Sequence, residues 1–234
     1  MSDILVIGGG IIGLLTAREL VQAGAAVTLV EMGETGRESS WAGGGIISPL
    51  YPWRYADSVT ALAGWSQHHY PRLCAELHEE TGIDPELTPS GLLILDTEEL
   101  SQALAWAERH HAETRILDGE QLQASEPELG PRPAQALLLP EVAQVRNPRL
   151  VKSVRRFLEG RITLREQEEV LELLVEQGRA RGVRTPKGEI LADQVVICTG
   201  AWTAKLLEQL GSMPEIEPVR GQMILFLAHP GQIN

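Results

Sequence analysis

The opening of the chain alternates strand-like and helix-like patterns of apolar residues. Residues 3–7 are mostly aliphatic and predict a buried strand, as do residues 25–31. Between them, residues 11–23 carry apolar side chains at helical spacing, and Gly24 is placed to end that helix. Strand, helix and strand in this order predict a βαβ unit whose two strands are parallel.

The remaining chain predicts helices and strands in mixed order. Helices are expected at 57–80 (as two stretches), 97–111 (opened by Thr97), 147–158 (with Pro148 in its first turn) and 202–210. Strands are expected at 90–96, 162–164, 168–175, 180–184, 189–197 and 219–227. No internal repeat or low-complexity linker interrupts them, so the pattern predicts an α/β fold.

Three glycines stand between the first predicted strand and its helix. Gly8, Gly10 and Gly13 have the spacing G-x-G-x-x-G, and Glu31 ends the second strand 18 residues after Gly13. Glycines here allow a tight turn, a close approach of pyrophosphate to the backbone and close helix packing, while the carboxylate suits a ribose. The alternative is a purely structural turn with Glu31 facing solvent. The complete context favours a dinucleotide cofactor.

A second stretch of small residues follows at 36–53. It contains one cation, two hydroxyls and bare backbone, namely Arg37, Ser39, Ser40, Ala42, Gly43, Gly44 and Gly45. Such a loop can contact a pyrophosphate and then run along a bulky ring system, which favours a flavin over a nicotinamide. A third segment, 193–203, predicts a buried strand that ends in a turn at Thr199 and Gly200, where ligands lie in doubly wound sheets.

Several of these side chains have plainer interpretations. Arg37 is either a phosphate ligand or a solvated cation, and Trp41 either contacts the ligand or packs the loop. Trp202 begins a helix just after the turn, which favours a place in the core. The histidines at 68, 69, 110 and 111 lie on polar helix faces and are not assigned a catalytic role.

Composition narrows the class of protein. The 234 residues are 43% hydrophobic and 22% charged, which predicts a globular protein with ample core. The net charge of −12 argues against a nucleic-acid partner. No apolar stretch is long enough for a membrane, and the N-terminus lacks the pattern of a signal peptide. Cys74 and Cys198 are far apart and predict buried thiols in the cytoplasm, with no metal site.

Together these motifs resemble the FAD-dependent D-amino-acid oxidase family. The resemblance rests on IGGGIIG, Glu31, GRESSWAGGGIISPLYPW, RNPRLV, VVICTGAW and VRGQMILF, and it runs from about residue 3 to 227. The 37–45 loop is most similar to the bacterial glycine oxidase branch, which is linked to thiamine biosynthesis. The resemblance implies oxidation of glycine or similar small amines, with O2 reduced to H2O2 and an imine product, iminoacetate, that supplies the thiazole. The sequence is compatible with a homo-oligomer.

The resemblance also implies a set of FAD contacts. The pyrophosphate and ribose would meet Gly8, Gly9, Gly10, Ile11, Ile12, Gly13 and Glu31. The phosphates would lie near Arg37, Ser39 and Ser40. The flavin would lie near Ala42, Gly43, Gly44, Gly45 and Ile46. The adenine would meet the Val170 backbone, and Thr199, Gly200 and Trp202 fall in the matching turn.

The resemblance further implies two interleaved domains. A Rossmann-like FAD-binding domain is expected at 1–85 and 144–212, and a smaller α+β substrate domain at 86–143 and 213–234, with strands 90–96 and 219–227 in one sheet. Family members continue beyond GQIN and carry the substrate's carboxylate clamp there, so a fragment or a natural truncation is expected. The alternatives are an amino-acid dehydrogenase that reduces a quinone, and a cofactor-binding module without turnover.

Overall fold

The structure is a computed structural model that describes residues 2–130, 133–211, 215–227 and 229. Its described helices are α1 (Ile11–Gln22), α2 (Ser39–Ala42), α3 (Asp57–Thr81), α4 (Leu100–His110), α5 (Gly119–Ser125), α6 (Asn147–Leu158) and α7 (Thr203–Leu207). Its described strands are β1 (Ser2–Ile7), β2 (Val27–Val30), β3 (Leu92–Ile94), β4 (Arg115–Asp118), β5 (Gln135–Leu139), β6 (Thr163–Arg165), β7 (Glu172–Glu176), β8 (Arg179–Thr185) and β9 (Gly188–Ile197).

The residues group into two compact units. The first comprises Met1–Gly43, Leu77–Pro85 and Asn147–Met223, and the second comprises Gly44–Glu76, Glu86–Arg146 and Ile224–Asn234. The interleaving resembles the predicted division, but residues 44–76 group with the second unit instead of the first. The predicted roles of the two parts, cofactor binding and substrate binding, stay predictions.

The first unit is built on a six-stranded sheet in the order β6-β2-β1-β9-β8-β7. The first four strands are parallel, and β7, β8 and β9 form an antiparallel meander. Strand β1 is central, and Leu5, Val6 and Ile7 are buried, as expected of a parallel strand covered on both faces. The predicted βαβ unit and α/β class are therefore confirmed.

Helices α1 and α6 pack against each other in the first unit. Leu14 and Ala17 of α1 and Val154 and Phe157 of α6 are all buried. Helix α6 has the bounds that the Asn147-Pro148 start predicted, because proline fits the first helical turn, where its missing N–H has no helical partner.

The second unit contains a three-stranded antiparallel sheet in the order β3-β5-β4. Its core combines strand residues Ile94 and Leu137 with Trp106 of α4, and the Trp106 indole N–H donates to Thr60 Oγ1 at 3.2 Å. Helix α3 is one continuous helix with Pro71 inside it, where two stretches were predicted. Among the described helices, none combines the length and apolar character needed to cross a membrane.

Two further predictions of secondary structure are wrong, and three elements were not predicted. Residues 219–227 form no strand, and Val219, Leu225 and Leu227 are more than nine-tenths exposed. An extended segment becomes a strand only beside a neighbour that accepts its backbone hydrogen bonds, so the expected sheet with β3 is absent from the described residues. Helix α4 begins at Leu100, without a side-chain cap, three residues after the predicted start at Thr97. The elements β4, α5 and β5 were not predicted.

Hydrogen bonds between neighbouring residues explain why α5 begins at Gly119. The Asp118 carboxylate accepts the N–H groups of Glu120 and Gln121 at 3.0 and 2.9 Å, and Gln121 Oε1 accepts the Asp118 N–H at 3.0 Å. This reciprocal capping box satisfies N–H groups that have no partner within the helix.

We expect Asp118→Ala to lower the free energy of unfolding by about 1 kcal/mol, because it removes this cap. Asp118→Asn is the matched control, since an amide oxygen still caps the helix and the loss stays within a few tenths of a kcal/mol. Urea unfolding followed by circular dichroism measures both. Equal losses in the two variants would show that the cap contributes nothing.

Candidate functional site

A cleft of about 590 Å³ lies in the first unit at the carboxyl ends of three neighbouring parallel strands. Ile7, Val30 and Ile197, the last residues of β1, β2 and β9, all line it. Ligands of doubly wound sheets bind at this edge, because loops diverge there and leave a crevice. The cleft is therefore the candidate binding site.

The glycine turn forms the floor of this cleft. Gly8 has φ 102°, and a Cβ there would lie 2.5 Å from the Cys198 carbonyl oxygen. A Cβ at Gly13 would lie 1.9 Å from the Gly8 carbonyl oxygen. Both positions therefore need glycine. Gly10 is the N-cap of α1 and provides no capping side chain, so the start of the helix presents backbone to the cleft.

The Glu31 carboxylate is held at the cleft by two backbone N–H groups. Its Oε2 accepts the Gly9 N–H at 2.7 Å, and its Oε1 accepts the Gly33 N–H at 2.8 Å. The side chain thus lines the cleft instead of facing solvent as the structural alternative expected, and its contact with a ribose stays a prediction. Each oxygen keeps a further lone pair, so the carboxylate can still accept hydrogen bonds from ligand hydroxyls.

Arg37, Ser39 and Ser40 also line the cleft. Ser40 Oγ accepts the N–H of Ile11, the first residue of α1, at 2.8 Å, which brings this loop onto the glycine turn. The Arg37 guanidinium pairs with Glu34 at 3.1 Å and stacks over the ring of Trp41 at 4.4 Å. Trp41 therefore packs within the loop, and a contact between Arg37 and phosphate stays a prediction.

Val170, Thr199, Gly200 and Trp202 also line the cleft. Trp202 is 45% exposed, so the interpretation of this side chain as core is wrong. It belongs to a 3₁₀ turn, Gly200–Trp202, that follows β9 and has no buried residue. Thr199 Oγ1 lies 3.0 Å from Thr203 Oγ1, which ties this turn to α7.

The cleft gathers most but not all of the predicted cofactor residues. Those that line it are Gly8, Gly10, Ile11, Ile12, Glu31, Arg37, Ser39, Ser40, Val170, Thr199, Gly200 and Trp202. Gly9 and Gly13 are buried behind it, and Ala42 and Gly43 lie at the end of α2, outside its lining. Gly44, Gly45 and Ile46 belong to the second unit, where Ile46 forms a β-bridge with Gln144, so their flavin contact stays a prediction.

Sequence reasoning missed several residues that line the cleft. They are Met32, Glu34, Gly36, Glu168, Glu169, Leu171, Cys198, Thr203, Lys205 and Ile216. Gly36 and Cys198 lie within the quoted motifs GRESSWAGGG and VVICTGAW, and Thr203 follows the Thr199 turn by four residues, so these three had a local signal. Lys205 Nζ lies 3.8 Å from Glu169 Oε1 at the exposed edge. Across the described ranges, no set of three His, Cys, Asp or Glu side chains is arranged to hold a metal ion.

Two ionisable groups beside the cleft have shifted pKa values. Burial raises the pKa of the Cys198 thiol, so it stays protonated at neutral pH. For Glu168, burial alone would raise the pKa, but the hydrogen bond from Thr185 and the charges of Arg165 and Lys187 outweigh it and lower the pKa. The Glu168 side chain is 1% exposed and accepts the Thr185 hydroxyl at 2.6 Å, so this carboxylate joins the end of β6 to β8.

We expect Glu168→Gln to lower the free energy of unfolding by about 2 kcal/mol at pH 7, because the charge-assisted hydrogen bonds are lost. A lowered folded pKa means that the carboxylate stabilises the fold above its unfolded pKa of about 4.3 and loses this effect as pH falls through the folded value. The difference between the variant and the unmodified chain should therefore shrink in urea unfolding below about pH 4.

Glu169→Gln is the matched control, because Glu169 is the exposed neighbour whose pair with Lys205 is solvated, and it should change stability by less than about 0.5 kcal/mol. A difference at Glu168 that persists unchanged at acidic pH would contradict the assignment.

Comparison with known proteins shows to which family this chain is similar. The sequence profile of the DAO family of FAD-dependent oxidoreductases matches residues 3–233. Glycine oxidase of Pseudomonas aeruginosa is 50% identical over 97% of this chain and 63% of its own length. The bifunctional protein ThiO/ThiG of Trichormus variabilis is 29% identical over 95% of the chain and 34% of its own length.

A solved structure shares the fold. Glycine oxidase from Bacillus cereus superimposes with a TM-score of 0.82 at 28% identity, covering 89% of this chain and 58% of that one. The chain therefore spans less than two thirds of the length of these relatives. The family match covers nearly all of its residues, and the glycine turn, Glu31 and the cleft lie within the matched range. The chain belongs to the DAO family of FAD-dependent oxidoreductases.

Proposed function

We propose that this chain is the FAD-carrying part of an oxidase that acts on glycine or similar small amino acids and amines. The observation that carries the proposal is the cleft, in which a glycine turn, the first turn of α1 and the doubly bonded Glu31 converge. Half of the residues are shared with a glycine oxidase over nearly the whole chain, which supports the substrate class.

The residues present fit the cofactor of the family. At Gly8 and Gly13 a Cβ would clash with backbone carbonyl oxygens, so glycine there allows the tight turn and the close packing of α1. Gly10 lines the cleft and leaves its backbone bare, as a pyrophosphate requires. The N-terminal end of α1 provides a positive dipole end, and Ser40 adds a hydroxyl beside it. Glu31 provides lone pairs for ribose hydroxyls, and a carboxylate repels a 2′-phosphate.

Each part of the cleft then has a role. FAD, when bound, accepts a hydride from the substrate carbon and passes the electrons to O2, giving H2O2. The chain's own residues bind and orient: the Gly8–Ile12 backbone and Ser40 hold the pyrophosphate, Glu31 the ribose, and the Val170 backbone the adenine. The 42–46 segment is proposed to lie along the flavin. No side chain of the chain is assigned a proton-transfer role.

The cellular role is proposed on chemical and family grounds. The relative named ThiO/ThiG supports a role in which the imine product, iminoacetate, supplies thiazole synthesis. Cys74 and Cys198 are not joined by a disulfide, which supports the predicted cytoplasmic location.

We expect Gly10→Val to abolish FAD binding, because it places a branched side chain at the N-cap of α1 where the pyrophosphate passes. Gly64→Val in α3 is the control, since open space surrounds Gly64 and it lies outside the cleft. Reconstitution with FAD followed by absorbance near the flavin bands measures both. Binding of NAD by the unmodified chain, without flavin absorbance, would disprove the cofactor assignment.

We expect the 234-residue chain, supplied with excess FAD, to show no glycine turnover by itself. A small amino acid is held mainly through its carboxylate, which calls for an available arginine. Arg54 and Arg220 lie in the segments that could approach the pocket, and neither matches the position of the family's carboxylate clamp. Arg54 already pairs with Glu99 at 2.8 Å and stacks over Tyr51. A peroxide assay against a full-length relative measures this, and comparable rates would show that the carboxylate clamp lies within these residues.

The alternatives separate in one anaerobic experiment on this chain completed with the C-terminal segment of a glycine oxidase relative. An oxidase is reduced by glycine and yields H2O2 when air is admitted. A dehydrogenase is reduced but is reoxidised by a quinone analogue instead of O2. A binding module keeps its flavin oxidised throughout.

A further inference from the structure

The loop that carries Arg37, Ser39 and Ser40 is anchored at several points before it reaches the cleft. Its start is held by Glu31, which accepts the Gly33 N–H, and its turn is held by the Gly36 N–H, which donates to the Gly9 carbonyl at 2.8 Å. These two anchors belong to the glycine turn and to Glu31. A further anchor comes from a residue far along the sequence.

Glu166 joins the middle of this loop to helix α6. Its Oε1 accepts the Thr35 N–H at 2.7 Å, and its Oε2 accepts from Arg155 Nη2 at 2.8 Å. Thr35 is only 3% exposed, so its N–H has little access to water. A buried N–H without an acceptor is costly, and Glu166 provides that acceptor as a charged group, which makes a stronger hydrogen bond than a neutral one.

The ionisation of Glu166 agrees with this role. Partial burial raises the pKa of its carboxyl, but the hydrogen bonding from Thr35 and the positive charge of Arg155 lower the pKa below its ordinary value overall. Glu166 is therefore a carboxylate at neutral pH, with one oxygen for the loop and one for the helix.

Helix α6 meets the same loop at a second point, one helical turn from Arg155. Gly36 packs against Val151, where a Cβ on Gly36 would lie 2.0 Å from Val151 Cγ1. Val151 and Arg155 are four residues apart, so they lie on the same face of α6. This face therefore fixes two consecutive loop residues, Thr35 through Glu166 and Gly36 by direct packing.

We propose that Glu166 is a positioning residue for the cofactor. Its hydrogen bonds to Thr35 and Arg155 form a latch, which joins the loop to α6 and keeps Arg37, Ser39 and Ser40 in place at the cleft. Glu166 does not line the cleft, so it acts through the loop. A loop that is already ordered loses less conformational entropy when the ligand binds, and this raises affinity. The inference rests on the proposed contact between the 37–40 segment and the FAD pyrophosphate.

The test compares Glu166→Ala, Glu166→Gln and Glu159→Ala in the full chain. Glu159 is the matched control, because it is an exposed carboxylate that pairs with Arg156 next to the same helix. The dissociation constant for FAD comes from quenching of flavin fluorescence, and hydrogen exchange reports the Thr35 amide. Thermal unfolding without FAD verifies that each variant is folded.

We expect Glu166→Ala to weaken FAD binding about tenfold and to accelerate exchange of the Thr35 amide by at least as much. Glu166→Gln keeps an oxygen acceptor and should recover most of the affinity, which general destabilisation would not explain. Glu159→Ala should change neither quantity. Should Glu166→Ala fail to fold, Glu166→Asp takes its place, because its shorter side chain withdraws the carboxylate from the Thr35 N–H. It should then accelerate Thr35 exchange relative to Glu159→Ala, and equal exchange in these two variants would overturn the proposal.

Ser40→Ala separates failure of the latch from failure of the proposed cofactor contact. If Ser40→Ala weakens FAD binding and Glu166→Ala does not, the latch is wrong and the contact stands. If neither variant alters FAD affinity, the proposed contact of the loop with the pyrophosphate is wrong as well. Unchanged Thr35 exchange in Glu166→Ala would overturn the latch directly.

Discussion

The close approach of three backbone segments at Gly8 governs the cleft. The end of β1, the start of α1 and the end of β9 meet there, with the Cys198 carbonyl oxygen too near to admit a Cβ. This contact lets α1 begin directly at the edge of the sheet, so that its first turn opens into the space between β1, β2 and β9. A larger residue would push the helix away and replace a backbone surface by side chains.

Acidic side chains organise the backbone around that contact. Glu31 accepts N–H groups from both the glycine turn and the following loop, Glu166 accepts one from Thr35, and Glu168 accepts the hydroxyl of Thr185. Gly9, Thr35 and Thr185 are buried, so there a carboxylate satisfies a donor that packing withholds from water, which is worth more than an exposed ion pair. Some acidic residues of the first unit therefore stabilise its fold and do not serve solubility alone.

The two units differ in how well the local sequence pattern alone predicts their strands. In the first, short-range patterns agree with the fold: apolar strands, a helix of the right period and glycines at turn positions. The three-stranded sheet of the second unit depends on β5 pairing with β3 and β4, which lie well apart along the chain. Weak local patterns such as residues 115–118 become strands only through such partners. Residues 219–227, although strongly strand-like, have none among the described residues.

The sequence by itself determined the α/β class, the parallel βαβ opening, the glycine turn with Glu31, the small-residue loop and the family resemblance. All but the resemblance follow from periodicity and spacing, because each depends on residues close along the chain. The resemblance rests on motifs matched from about residue 3 to 227. It did not reveal the exposure of Trp202 or the grouping of residues 44–76 with the second unit.

Tertiary structure alone decided which side chains complete the cleft. Cys198 and Lys205 reach it because β9 lies beside β1. Glu168 reaches the cleft, and Glu166 reaches Thr35, because β6 lies beside β2. Spacing cannot predict such contacts, since they join residues separated by more than a hundred positions and arise only when the sheet and its helices are assembled.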